Sequence, residues 1–236
     1  MRIILIAFLI LIHFSNSIAQ DYHARGDDNF GFKMAKINQQ KFGNLIPLDE
    51  KRVDGSAYLN KHFVPGTVVQ KNGVEFKELP LRYNIYNQCV EFKQDDQILS
   101  IAEPWKINYV IMGEQKFVYA PFTTSGNVKS TYFHQLTNDK FQLLKKYEIV
   151  LRKSDFNADV IDNEDNNVYR FDKPLPSYYL RYQDGTAHRI DSRKKLIKLL
   201  QPIPQEIIDY ILKNNVDVKN ENQLIDILNY TNERIE

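Results

Sequence analysis

Cysteine is almost missing from this sequence: Cys89 is its single cysteine in 236 residues. A chain with one cysteine cannot form an internal disulfide, so its fold must depend on a hydrophobic core. No cysteine directly follows the apolar N-terminal run, which excludes lipid attachment through an N-terminal cysteine. Cys89 lies within a predicted hairpin, with no helix N-terminus in sequence to lower its pKa, so packing is its expected role.

An excess of charge of either sign is also missing. The chain has 31 basic and 30 acidic residues. Removal of the leader described below would take away Arg2, so that 30 basic residues balance 30 acidic ones. A nucleic-acid-binding protein normally carries a basic patch, and this composition gives no sign of one.

Recognisable catalytic motifs are lacking as well. The sequence has no G-x-S-x-G nucleophile motif. The histidines outside the leader lie far apart in sequence, and we predict no transition-metal site and no cofactor; they are His23, His62, His134 and His188. Triads and carboxylate pairs assemble from residues distant in sequence, so an enzyme with a dispersed site stays open and its catalytic residues are unassigned.

One acidic segment partly resembles a calcium loop. Asp155, Asn157 and Asp159 place oxygen ligands at alternate positions. Val160 stands where such a loop needs glycine, and Asn166 stands where it needs a bidentate glutamate. We therefore predict a solvated acidic loop that binds no metal.

Residues 1–19 have the pattern of a secretory signal peptide. Arg2 precedes an apolar run over residues 3–12, and Ser17 and Ala19 fit a signal-peptidase site before Gln20. The run is short for a membrane span, although an uncleaved anchor is the alternative. We predict an exported protein, periplasmic or secreted, with no transmembrane span after signal removal.

The mature chain is expected to begin with a loosely ordered arm over residues 20–54, followed by an antiparallel β domain over residues 55–190. The clearest pattern is a hairpin at residues 80–93, where apolar and polar residues alternate. A two-residue turn at Asn87-Gln88 would pair Ile85 with Val90 and Tyr83 with Phe92, placing these four on one buried face.

Short alternating segments continue on both sides of this hairpin. Asn72-Gly73 is a strong hairpin turn signal. Residues 140–153 fit either a helix or a strand, and we favour a strand. Further strands are predicted at 97–101, 107–112, 116–119, 130–136, 169–171, 177–182 and 187–190.

Residues 191–236 change to helical periodicity. Ser192 can cap a first helix, Pro204 can begin a second, and Asn220 with Gln223 resembles a capping box for a third. These helices are too short to be stable alone and must pack on the sheet. The predicted fold is α+β, an antiparallel β-meander or roll followed by a small C-terminal three-helix segment.

Several segments together resemble a group of exported hypothetical proteins common in Bacteroidetes-type bacteria. They are GSxYL at 55–59, LRYNIYN at 81–87, EFK at 91–93, LLKK at 143–146 and KKLIKLL at 194–200. The similar region covers about residues 55–232. The resemblance implies export and a shared fold, and it transfers no catalytic residue or cofactor to this chain.

The predicted binding residues are Tyr178, Tyr179 and Tyr182, in a strand whose neighbouring side chains point to opposite faces. Exposed tyrosines give large contact area at low entropic cost. The alternative is that the helical tail covers these rings as core. We predict an exported cell-envelope protein acting as a non-enzymatic binding or accessory module for an envelope protein or a small ligand; the alternative is a hydrolase with a dispersed site.

Overall fold

A computed structural model describes residues 21–22, 32–36, 53–95, 97–153 and 169–235. They form a mostly antiparallel β-sheet followed by three helices, which confirms the predicted α+β class. The strands are β1 (Asp21–Tyr22), β2 (Phe32–Lys36), β3 (Val53–Asp54), β4 (Val64–Gln70), β5 (Glu75–Asn84), β6 (Cys89–Gln94), β7 (Gln97–Ile101), β8 (Ile107–Met112), β9 (Gln115–Thr124), β10 (Asn127–Gln135), β11 (Phe141–Glu148), β12 (Leu151–Lys153), β13 (Tyr169–Phe171), β14 (Leu175–Tyr182) and β15 (His188–Arg189). The helices are α1 (Arg193–Leu200), α2 (Gln205–Lys213) and α3 (Glu221–Asn232).

Twelve strands join in one curled sheet, in the order β1-β2-β7-β6-β5-β4-β8-β9-β10-β11-β14-β15. A smaller sheet contains β12, β13 and β3. Most neighbours in the large sheet are joined by short turns, as in the predicted meander. Within residues 20–54 we predicted no strand, yet β2 pairs with β7 and thereby extends the large sheet.

Part of the large sheet curls back on itself. Ala187, just before β15, forms a bridge with Phe122 of β9, and its backbone N–H donates to Pro121 O at 2.8 Å. We call β9, β10, β11, β14 and β15 the strand ring. The inward-facing rings of Phe122, Phe133 and Tyr179 have centroid separations of 5.1 to 5.7 Å, so an aromatic core fills the ring.

The hairpin of β5 and β6 differs from the prediction in its register. Tyr83 pairs with Val90 and Leu81 with Phe92, so residues 85–88 form the loop instead of a two-residue turn. The pairing is shifted by two residues, which leaves every side chain on its predicted face. Tyr83, Ile85, Val90 and Phe92 are accordingly all buried, as predicted.

The other face of this hairpin is buried too, although its residues are polar. Arg82 and Glu91 form an ion pair at 2.6 Å, and the guanidinium carbon of Arg82 lies 3.4 Å from the ring centroid of Tyr58 and 4.4 Å from that of Phe63. The segment containing Tyr58 is held by backbone hydrogen bonds to the end of β5. The prediction that only one face of the sheet is buried is therefore wrong at this hairpin.

Two of the three helices begin after the capping residues that the sequence predicted, whereas Pro204, predicted as the first residue of the second helix, lies just before it at the N-cap. Ser192 accepts from Lys195 N, and Asn220 accepts from Gln223 N at 3.2 Å. Their apolar residues form one core cluster with Phe141, Leu143 and Leu180 of the sheet. Among the residues described, no helix is both long and apolar enough to cross a membrane.

Candidate functional site

Five ionisable side chains converge where the sheet meets α3, and we call them the sheet–helix cluster: His134, Lys145, Tyr147, Tyr178 and Glu221. The strand register creates it, because His134 of β10 lies opposite Lys145 of β11, which lies opposite Tyr178 of β14. Tyr147 follows Lys145 by two residues and shares its face. Glu221 is the first residue of α3.

Polar contacts run without interruption through the cluster. Glu221 Oε2 accepts from Lys145 Nζ at 2.7 Å and from Tyr178 Oη at 3.0 Å. Lys145 Nζ lies 5.2 Å from the ring centroid of Tyr147, whose hydroxyl is 3.1 Å from His134 Nδ1. The cluster thus connects three strands to the first turn of a helix.

Three of these groups, His134, Tyr147 and Tyr178, are uncharged at pH 7, and burial shifts the pKa of each further toward its neutral form. Burial lowers the pKa of His134, and the neighbouring Lys145 ammonium lowers it further. Burial raises the pKa of Tyr147, and burial with the Glu221 carboxylate raises the pKa of Tyr178. The charged part of the cluster is therefore the Lys145–Glu221 ion pair, surrounded by neutral hydrogen-bonding groups.

The lowered pKa of His134 predicts a loss of stability in mild acid. Above the unfolded-state pKa of about 6.5, His134 is unprotonated in both the folded and the unfolded protein. Its titration therefore takes nothing from the stability of the fold in that pH range. As the pH falls from about 6.5 toward the lower pKa of the folded state, the unfolded chain binds a proton before the folded chain does. This proton binding stabilises the unfolded state relative to the folded state. Thermal melting between pH 7 and pH 5 should show a smaller loss for His134→Gln than for the wild type. An equal loss would contradict the prediction, and His62→Gln, at an exposed position, is the control.

The hairpin loop extends this polar network into the sheet. The ladder between β10 and β11 comprises His134 with Lys145 and Gln135 with Leu144. Farther along, the Gln88 side chain lies between the two strands: Nε2 donates to Tyr147 O at 2.9 Å, and Oε1 accepts from Thr131 Oγ1 at 3.0 Å. Gln88 thereby fixes the hairpin loop against the sheet–helix cluster.

Cys89 follows Gln88 in surroundings that disfavour its thiolate form. Burial raises its pKa to about 12, and the Glu91 carboxylate contributes in the same direction. A thiol needs its thiolate form to act as a nucleophile. The packing role expected from the sequence fits this environment.

The predicted binding tyrosines are placed differently from expectation. Tyr178 is buried beneath the helices and Tyr179 is buried inside the strand ring, so neither offers the exposed surface on which the predicted binding role depended. The reason is that this strand is covered on both faces. Tyr182 is exposed at its outer end, with its ring 5.0 Å from that of Phe141, and its binding role stays a prediction.

Metal binding has no support in the part of the chain that the structure describes, where no three His, Cys, Asp or Glu residues are grouped to hold an ion. His188 Nδ1 lies 3.1 Å from Thr123 Oγ1. The acidic loop at residues 155–166, His23 and the leader at residues 1–19 lie outside the described residues. Those predictions stay untested.

The sequence analysis did not identify the sheet–helix cluster. Lys145 and Tyr147 at alternate positions of a strand were a detectable sign of a shared face. The position of Glu221 beside them depends on how α3 docks, which no local pattern encodes.

Comparisons with known proteins do not assign the chain to a family. The resemblance at residues 55–232 therefore stays a prediction. No protein-family model matches the chain, and neither a curated protein nor a solved structure does.

Proposed function

We propose that the protein is exported to the cell envelope and acts there as a binding or accessory module, with the sheet–helix cluster as its site for a small polar ligand. The supporting observation is the convergence of five ionisable side chains from three strands and α3 at a boundary that is partly open. The side chains of Lys145 and Glu221 keep 17% and 31% of their surface exposed. Convergent polar groups at such a boundary are typical of ligand sites.

The chemistry of the cluster favours a ligand with both donors and acceptors. Lys145 offers positive charge, Glu221 offers negative charge, and His134 and Tyr147 offer neutral hydrogen-bonding groups beside them. The buried tyrosine hydroxyls have raised pKa values, which suits fixed hydrogen bonds better than proton transfer at neutral pH. This combination supports binding over catalysis.

A panel of sugars, amino acids and organic acids tests the binding proposal by thermal shift. A ligand that binds the folded state must raise the melting temperature. For each stabilising compound, the shift should shrink in Lys145→Gln and persist in Lys198→Gln, an exposed lysine of α1 that serves as the matched control. Shifts that are equal in both variants would show that the compounds bind elsewhere and would refute the cluster as the site.

Export is tested by the mass of the protein recovered from the envelope fraction of an expressing bacterium. Signal-peptidase cleavage after Ala19 should give a chain that begins at Gln20. A product that retains Met1 would contradict export with cleavage and would favour an anchor.

A hydrolase is the second candidate, because His134 Nδ1 lies 3.1 Å from the Tyr147 hydroxyl, which orients the ring, and burial favours the neutral imidazole that a general base needs. Chromogenic esters and glycosides test this activity directly. Turnover that is abolished by His134→Gln and unchanged in Lys198→Gln would favour it. Turnover that survives in His134→Gln would reject the cluster as a catalytic site.

A further inference from the structure

The charged side chains of α1 are all positive. This helix has four basic residues and no acidic one, and the four are Arg193, Lys194, Lys195 and Lys198. The other two helices differ: α2 has two acidic residues and one basic residue, and α3 has two acidic residues and no basic one. The near balance of charge over the whole chain therefore conceals a local excess of positive charge on α1.

The lysines of α1 point away from the core. Leu196 and Leu200 are buried in the core cluster beneath the helices. Lys194 and Lys198 are exposed, and Lys195 is half-buried. Residues three or four positions apart share one side of a helix, so the three lysines lie together on the side opposite the two leucines. We call this side the basic face of α1.

None of the four basic side chains is neutralised within the part of the chain that the structure describes. The ion pairs found there join other residues. Asp191, two residues before the helix begins, accepts a hydrogen bond from the Ser192 hydroxyl at 3.1 Å and forms no ion pair with α1. The positive charge of the basic face is therefore available to an outside partner.

The charge pattern of α1 does not serve the stability of the helix. Arg193, Lys194 and Lys195 occupy its first turn, which contains no acidic residue. Cations are unfavourable there, because the N-terminal end of a helix carries partial positive charge. Lys194 and Lys198, four residues apart, add a repulsion between like charges. Binding to a partner accounts for side chains that oppose the helix that carries them.

We propose that the basic face of α1 binds the anionic headgroups of a lipid bilayer and holds the protein against a membrane surface. Clusters of four or more Lys and Arg residues on an amphipathic helix are typical of proteins that bind acidic lipids. The apolar side of α1 is engaged in the core, so the contact is electrostatic and the helix does not enter the bilayer.

A bilayer suits this short helix better than a folded partner does. Eight residues make a helix about 12 Å long. Headgroups are mobile anions on a flat surface, so they can gather around four cations without the shape complementarity that a protein interface requires. The basic face shares no residue with the sheet–helix cluster, and the proposal does not depend on the ligand-binding role of that cluster.

Vesicle sedimentation tests the proposal with residues 20–236, which lack the apolar leader and so cannot bind through it. The protein should bind vesicles made of equal parts phosphatidylglycerol and phosphatidylcholine, and should not bind vesicles of phosphatidylcholine alone. Binding should weaken as the salt concentration rises from about 0.1 M to about 1 M, because the Debye length falls from about 10 Å to about 3 Å. Equal binding to both vesicles, or no binding to the anionic ones, would overturn the proposal.

Two matched double variants locate the contact. Lys194→Gln with Lys195→Gln should weaken binding to the anionic vesicles about 25-fold, since each cation near a membrane contributes about fivefold. This variant should melt no lower than the wild type, because the first turn loses unfavourable charges. Lys71→Gln with Lys129→Gln removes the same charge from exposed positions outside α1 and should bind as the wild type does. An equal loss in both variants would assign binding to net charge and refute the basic face as the site.

Soluble polyanions separate a lipid surface from other negatively charged partners. Double-stranded DNA and polyglutamate are compared with the anionic vesicles at the same concentration of negative charge. The vesicles should bind more tightly, because only their anions can gather freely around the four cations. Tighter binding to either polymer would reject a lipid surface and assign the basic face to a nucleic acid or to an acidic protein.

Discussion

Replacing Glu91 with alanine is expected to lower the free energy of unfolding by about 3–5 kcal/mol, because it leaves a buried guanidinium without its counter-ion. Both carboxylate oxygens of Glu91 are in use: Oε2 accepts from Arg82 Nη2 at 2.6 Å and from Nε at 3.1 Å, and Oε1 accepts from Asn84 Nδ2 at 2.7 Å. Arg82 is held between two aromatic rings and cannot turn toward water without losing them. Chemical denaturation of Glu91→Ala measures the loss.

Two controls separate the lost charge pair from a general effect of alanine. Glu75 and Lys77 form an exposed pair at 3.0 Å, so Glu75→Ala should cost less than about 1 kcal/mol. The double replacement Arg82→Met with Glu91→Leu removes both charges and should recover most of the stability that Glu91→Ala loses. If Glu91→Ala costs no more than Glu75→Ala, the buried pair does not support the hairpin.

Ile85→Asp is expected to destabilise the protein by about 3–5 kcal/mol, since it places an unpaired carboxylate in the core. Ile85 is 1% exposed and belongs to the core cluster enclosed by the curled sheet. Urea denaturation compares it with Ile98→Asp, the same change at an exposed position of β7, which should be nearly neutral. Equal midpoints for the two variants would show that the hairpin loop is not packed as described.

Asn84→Asp, at the neighbouring position, cannot serve as a neutral control for Ile85→Asp. A carboxylate at this position would face Glu91 Oε1, which now receives a hydrogen bond from Asn84 Nδ2 at 2.7 Å. Two buried carboxylates that close repel each other. Asn84→Asp is therefore also destabilising, although the sequence pattern places Asn84 on the solvent side.

The elements that the sequence predicted correctly are those that depend on local chemistry. Alternation identified β5 and β6, and Ser192 and Asn220 marked the starts of two helices because their side chains cap the backbone directly. Each signal involves residues within a few positions of one another. Such signals can be recognised in the sequence without knowledge of the surrounding fold.

The features that the sequence did not predict depend on distant partners. The four-residue hairpin loop is stabilised by Gln88, whose contacts with Thr131 and Tyr147 span 43 and 59 residues. Arg82 and Glu91 suggested a solvent face, because alternation of charge with apolar residues normally indicates one. The sheet–helix cluster requires cross-strand register, which no single strand contains.

The contact between Asn232 and Phe141 makes the packing of this part of the sheet depend on α3. Asn232 Oδ1 accepts from the backbone N–H of Phe141, and its Nδ2 donates to the Phe141 carbonyl, both at 2.9 Å and across 91 residues of sequence. Until α3 has been synthesised, the apolar side chains of Phe141, Leu143 and Leu180 lack the surface that covers them. Contacts between residues so distant in sequence slow folding. A chain that ends before α3 exposes the apolar side chains of the sheet, which can bind chaperones or other unfolded chains. We therefore expect this part of the sheet to pack fully only when α3 is present, and truncated chains that end before Glu221 should remain sensitive to protease.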